Sequence, residues 1–97
     1  MRGRAKLVLD PSIAASECRD RVIVARETDP GWLFLMMSAK ALVVERGTML
    51  SHTAITGRLL GIPTVVSVAS ATTLIEDGAL VEVDGAAGTV RILDGGV

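Results

Sequence analysis

The chain reads as an α/β domain in which helices pack on a mixed sheet that ends in a C-terminal β-hairpin. Three observations carry this reading. Short β-branched runs such as "RVIVAR" and "ALVVE" alternate with segments that suit helices. The last third, "ALVEVDGAAGTVRIL", is two alternating strands around a glycine-rich turn. The 49% hydrophobic content contains one Phe, one Trp and no Tyr, so the core must be built from Val, Ile, Leu, Ala and Met.

In order along the chain, "AKLVLD" (5–10) is an opening strand, and "PSIAASECRD" a polar connection or short helix. "RVIVAR" (21–26) is a second strand. In "ETDPGW", Thr28 or Asp29 suits a helix cap, with Pro30 at the first helical position and Trp32 packed beneath. "GWLFLMMSA" then suits a short buried helix, with Met36 and Met37 as core fillers or, less simply, part of a docking face. "ALVVE" (41–45) has four apolar residues in a row and is expected to be covered on both faces. After "RGTML" comes "SHTAITGRLLG", a helix with Ser51 as cap and Gly61, ahead of Ile62 and Pro63, as stop. "TVVSV" is a further strand, and Ser70 is a cap for a helical turn in "SATTLIEDG". "DGGV" is a frayed tail. No linker divides the 97 residues, so one domain over 1–97 is expected, with an ordered core at about 5–93.

Composition narrows the function classes. A net charge of −1 with interspersed signs, and almost no aromatics, argues against nucleic-acid binding. No run approaches the roughly 20 apolar residues of a membrane span, and the apolar part of "MRGRAKLVLD" is too short for a signal peptide. The single cysteine, Cys18, forms no internal disulfide, and a reducing, cytoplasmic setting is expected. A mean hydropathy of +0.50 implies tight burial of small aliphatic side chains, or a surface that meets a partner.

The chemistry centres on His52, the only histidine. At a helix start it would sit among free backbone N–H groups, at the positive end of the helix dipole. That field favours a neutral, nucleophilic ring and would stabilise an acquired phosphoryl group. Gly47 would allow close backbone approach to such an anion. The residues alone also permit a solvated histidine behind a capping serine. Other arrangements fit less well: a Cys18–His52 dyad has nothing to bring its members together, and one histidine with scattered carboxylates has no metal-ligand spacing. Arg58 follows His52 by six residues, about 600° around a helix, so the two face different ways. Arg46, in the preceding loop, is freer to approach the ring. A solvated charge is the plainer role for both arginines.

The pattern G-x-M-x-S-H-x-A-I-x-x-R-x-x-G-I-P over residues 47–63 resembles the phosphohistidine segment of PEP-utilising enzymes, such as pyruvate phosphate dikinase, PEP synthase, enzyme I and the rifampicin phosphotransferases. "VIVARETDPGW", "ALVVERG", "SHTAI", "GIPTVV" and "DGALVEVDGAAGTVRIL" follow in that family's order. The resemblance implies a swivelling β/β/α domain whose histidine, here His52, accepts a phosphoryl group on a ring nitrogen. It implies partners that supply the rest: an ATP-grasp nucleotide domain and a PEP- or pyruvate-binding TIM barrel, in cis or in trans, with Mg²⁺ and ATP or PEP bound there and none on this chain. Ser51 matches the small residue before the histidine, Gly47 the first of two paired glycines, and Arg58 the arginine later in the helix. Thr48 stands where the second glycine would be. Leu50 replaces a threonine common in the dikinases, as in the rifampicin-phosphotransferase branch. Gly57 falls where alanine is usual and lowers helix propensity. Alone, the chain is not expected to turn over substrate. The rival expectation is a docking module of the same fold that is never phosphorylated, and a small Cys/His hydrolase would depend on Cys18.

Overall fold

Four parallel strands and an antiparallel hairpin share one sheet, and this arrangement decides where every helix sits. The computed structural model describes residues 1–9, 15–27, 32–46 and 52–94, with positions 15, 33, 52 and 53 placed by their backbone. The strands are β1 (Arg2–Leu7), β2 (Val22–Ala25), β3 (Ala41–Val44), β4 (Thr64–Val65), β5 (Leu80–Asp84) and β6 (Thr89–Asp94). The helices are α1 (Leu33–Ser38), α2 (His52–Leu60) and α3 (Ala71–Leu74), with a 3-10 turn at Ala15–Cys18. The sheet order is β4-β3-β2-β1-β5-β6. β1 to β4 run parallel, whereas β5 is antiparallel to both β1 and β6. The mixed α/β class expected from the alternating pattern is the class observed.

β1 is longer at its start than its apolar pattern suggests, because its two ends pair with different partners. Arg2, Gly3 and Arg4 align with Glu82, Val81 and Leu80 of β5, while Ala5, Lys6 and Leu7 align with Val22, Ile23 and Val24 of β2. The Arg2 Nε donates to Glu82 Oε2 at 2.9 Å across the first of these pairings. No hydrophobic alternation marks "RGR", so its strand character comes from β5 alone. β4 is shorter than "TVVSV" suggests. Ser67 adopts a left-handed conformation (φ 61) two residues after the strand, which breaks the extended path.

Both faces of the two central parallel strands, β2 and β3, are buried, as uninterrupted apolar runs require. One face places Val22, Val24, Ala41 and Val43 against Ala71 and Ile75 and the hairpin residues Val81 and Val83. The other places Ile23, Ala25, Leu42 and Val44 against Cys18, Trp32, Leu35 and Met36. Each fully buried Val, Ile or Leu contributes about 1.5–3 kcal/mol, so these two clusters are the main source of stability. Trp32 lies under α1 as expected, and Met36 is a core residue. Met37 is not: with Phe34 it lies on the outer side of α1, at 61% and 76% exposure. The helix has only six residues, so a single stripe reaches the sheet.

The sheet curls until β4, at one edge, meets β5. β4 and β5 are separated by three strands in the sheet order yet touch. At the contact, a β-carbon on Gly85 would stand 3.2 Å from both the Cα of Pro63 and the amide nitrogen of Thr64. The hairpin turn that carries Gly85 is shaped by Asp84, whose Oδ1 accepts from the N–H groups of Ala86 (3.0 Å) and Ala87 (2.9 Å).

Candidate functional site

The site is the start of α2, where the chain returns from the end of β3. Its root is held firmly. Val68 N–H donates to Val44 O at 3.1 Å, Glu45 N–H to Ala25 O at 3.1 Å, and Arg46 N–H to Arg26 O at 2.9 Å. The Glu45 carboxylate reaches across to α3 and accepts from the Thr72 N–H at 2.8 Å and, in a short bond, from the Thr72 hydroxyl. The hydroxyl bond is the leading reason that the Glu45 carboxyl is held below the usual carboxylate range, and the amide bond is the second.

Arg46 leaves this root on the outside. Its Nη1 lies 3.8 Å from Glu27 Oε1, and both side chains are largely exposed, so the pair is a loose surface contact. Gly47, Thr48, Leu50 and Ser51 lie outside the described residues, and so do Thr28, Asp29 and Pro30. The capping role expected of Ser51 and the roles expected of the two loop positions therefore rest on the sequence.

His52 is the first residue of α2. The helix is seated on the sheet: Gly57 is buried against Thr64 at the start of β4, Ala54 is also buried, and Leu60 packs on the core cluster of Trp32 and Met36. Ile55 and Leu59 lie on the outer side of α2, at 45% and 83% exposure. At the far end, Gly61 (φ 74) donates its N–H to Arg58 O and Ile62 donates to Gly57 O, both at 3.1 Å. These two bonds close the helix as a Schellman motif, the stop expected of Gly61.

Arg58 lies on the Ala54 side of α2, in the wall of an open cleft of about 320 Å³ between the helix, Pro63, Thr64 and the hairpin turn at Gly85. Arg58 also falls in the last turn of α2, where a cation complements the helix dipole.

Cys18 is fully buried, and burial is the main cause raising its thiol pKa. A buried, protonated thiol is a poor nucleophile, which removes the physical basis of a cysteine hydrolase. Among the described residues, no group of three or more His, Cys, Asp and Glu side chains is placed to hold a metal ion. Among the same residues, no helix is long and apolar enough to cross a membrane.

Two residues of the site carry no local signal. Glu45 reads as the polar end of a strand and Thr72 as one of two threonines in "SATTL"; they meet across 27 positions of sequence. Ser70 is the expected cap of α3. It does occupy the N-cap position, but in a left-handed conformation (φ 60, ψ 25) with no side-chain cap bond, and Glu45 serves the helix instead.

Comparison with known proteins places this geometry. Residues 18–88 match the family model described as PEP-utilising enzyme, mobile domain. The chain is 46% identical over 90 residues to a probable phosphoenolpyruvate synthase of Staphylothermus marinus, an alignment covering 91% of this chain and 11% of that protein. It is 41% identical over 93 residues to a rifampicin phosphotransferase of Bacillus cereus, covering 96% of this chain and again 11% of the relative. Among solved structures it is similar to a solution structure of the Enzyme I protein nEIt. The TM-score is 0.68 at 32% identity, over 77% of this chain and 31% of that one. The chain thus spans about a tenth of the length of these curated relatives.

Proposed function

The chain belongs to the mobile-domain family of PEP-utilising enzymes, and from that premise we propose that it is a phosphohistidine carrier in which His52 is the phosphoryl acceptor. The observation that carries the reading is the position of His52: the only imidazole of a mobile-domain chain is the first residue of α2. A carrier needs its acceptor at the surface, where two different active sites can reach it in turn.

The helix start suits the chemistry. In the transfer, the lone pair of a ring nitrogen forms the N–P bond as the P–O bond to the donor breaks, and the electron pair leaves on the donor oxygen. The free N–H groups and the positive dipole end of α2 favour the neutral ring before transfer and the anionic phosphoryl group after it. Their stabilisation is moderate, so the group can pass onward. The nucleotide and PEP-type sites, with the Mg²⁺ that phosphoryl transfer requires, belong to partner domains of the ATP-grasp and TIM-barrel kinds, in cis or in trans. The phosphoenolpyruvate synthase and rifampicin phosphotransferase relatives, of which the matched region is 11% in each case, support such partners. The protein is read as cytoplasmic, as expected for such a carrier.

The test is phosphoryl transfer in trans. The chain is incubated with Mg²⁺, labelled PEP and a purified PEP-binding barrel domain of the family, alongside a His52→Ala control. Acid-labile, base-stable label on the parent chain and none on the control is the expected result. Equal label on both chains would overturn His52 as acceptor. No label on either, including with an ATP-grasp partner and labelled ATP, would replace the carrier with a docking module.

A further inference from the structure

The cleft beside α2 is kept open by small residues. The hairpin turn "DGAAG" carries nothing larger than a methyl group from Gly85 to Gly88, and Gly61, past the end of the helix, has open space where a β-carbon would stand. Gly85 rests closely on Pro63 and Thr64, so the turn is braced against β4. The space left is about 320 Å³. Among the described residues that line it, Arg58 is the only charged one, and the others are Ala, Gly, Ile, Pro and Thr. The carboxylate that flanks the turn, Asp84, is occupied by the Ala86 and Ala87 amides.

Ala54 and Arg58 are four residues apart, on a row of α2 that opens on the cleft. Ile55 and Leu59 form the next row, about 100° around the helix, and both are exposed. An arginine at the lip of a pocket, with exposed aliphatic side chains next to it, is the makeup of a protein contact.

The chemistry selects the occupant. A guanidinium has several N–H donors, so Arg58 can take a further acceptor beside the contacts it already makes, and a carboxylate matches it. A small free anion would stay largely exposed in so open a cleft, whereas small-ligand sites bury most of their ligand. A second copy of this chain, docked across a two-fold axis, would bring the same cationic patch against itself. A partner domain meets neither difficulty, and only 11% of each of the two curated relatives lies in the matched region, so the rest is available to supply one.

We propose that the Arg58 cleft and the Ile55–Leu59 row form a docking surface for a partner domain of the phosphotransferase, one that presents a carboxylate to Arg58 with apolar side chains beside it. This rests on the carrier reading given above. Arg58 lies about 9 Å along the helix axis from residue 52, so a domain that grips the cleft has its own active site within short reach of the helix head. The grip governs how often the two meet rather than how fast the phosphoryl group moves.

The experiment reads docking and transfer separately. A ¹⁵N-labelled His52→Ala chain, which lacks the acceptor, is titrated in turn with the unlabelled PEP-binding barrel and ATP-grasp domains. With at least one of them, the backbone amide resonances of Ile55, Arg58, Leu59, Gly61, Gly85 and Ala86 are expected to shift. Arg58→Glu, Leu59→Ser and Ala86→Leu, each added to this chain, are expected to weaken binding about tenfold. In chains that keep His52, the same changes should raise the half-saturating partner concentration for labelling about tenfold. The limiting rate should stay within about twofold of the parent. Ala86→Leu fills the cleft from the turn and leaves α2 unaltered, so it decides the matter should Arg58→Glu not fold. No shift with either domain, shifts confined to other surfaces, or binding that all three changes leave intact would overturn the proposal. Equal shifts with sodium acetate alone at the partner's concentration would also overturn it, making the cleft a small-anion site. A shift that depends on the chain's own concentration would do the same, giving the face to a second copy. Docking with no label on the parent chain would remove the carrier reading and keep the surface. Label with unchanged half-saturation in every variant would keep the carrier and remove the surface.

Discussion

Gly57 of α2 lies so close to Thr64 of β4 that a β-carbon there would stand 2.9 Å from the Thr64 Cβ and overlap its hydroxyl. The glycine that lowers helix propensity is therefore what lets the histidine helix settle on the sheet. Thr64 has a set orientation, with its Oγ1 donating to Ile62 O at 3.2 Å, so it cannot swing aside without losing that bond.

Gly57→Ala is expected to destabilise the fold by about 1–3 kcal/mol, the usual cost of forcing an extra carbon into a packed contact. Propensity alone predicts the opposite sign, a gain of about 1 kcal/mol. Urea denaturation decides between them. Adding Thr64→Ala removes the overlapping hydroxyl, so the double variant should lose less than the sum of the two single changes.

Gly61 has open space around it, with nothing within 4 Å of the point where a β-carbon would stand, and a φ of 74. Gly61→Ala should therefore show a purely conformational cost, about 1–2 kcal/mol by the same denaturation. Gly61→Asn should cost less, since asparagine tolerates the left-handed region better than alanine does.

Glu45 and Glu82 both have carboxyl pKa values lowered in the folded chain, chiefly by side-chain bonds from Thr72 and Arg2 respectively. A group shifted in this direction contributes stability that is fully present above its unfolded pKa of about 4.3. That contribution is lost as the pH falls through the lower folded value. The unfolding midpoint should thus decline below about pH 4.3. Thr72→Val and Arg2→Ala should each flatten that decline, as followed by thermal melts across the acid range.

Cys18 should resist thiol reagents in the folded chain and react once denaturant is added, because its side chain is fully buried. Cys18→Ser places a hydroxyl in the apolar cluster of Val8, Ile23 and Ala25 and should cost about 1–3 kcal/mol. Cys18→Ala tests whether volume rather than polarity matters. Phosphoryl transfer in trans should continue in both variants, since neither alters the start of α2.

The α/β class, β2, β3, the hairpin, the stop at Gly61 and His52 at the head of a helix are all legible along the chain. Each depends on neighbours in sequence: apolar runs, turn residues or a helix terminus. The ordered motifs from "VIVAR" to "VRIL" likewise carry the family resemblance. Other features arise from residues far apart in sequence, so no local pattern announces them. "RGR" becomes strand only because Glu82, Val81 and Leu80 lie beside it. Gly57 is a close-packing site only because Thr64 lies against it. Ser70 yields its capping role to Glu45 because the curled sheet brings the end of β3 to α3. Periodicity and turn chemistry are local energies that a sequence displays directly, whereas steric contact and long-range hydrogen bonds exist only once the sheet has closed.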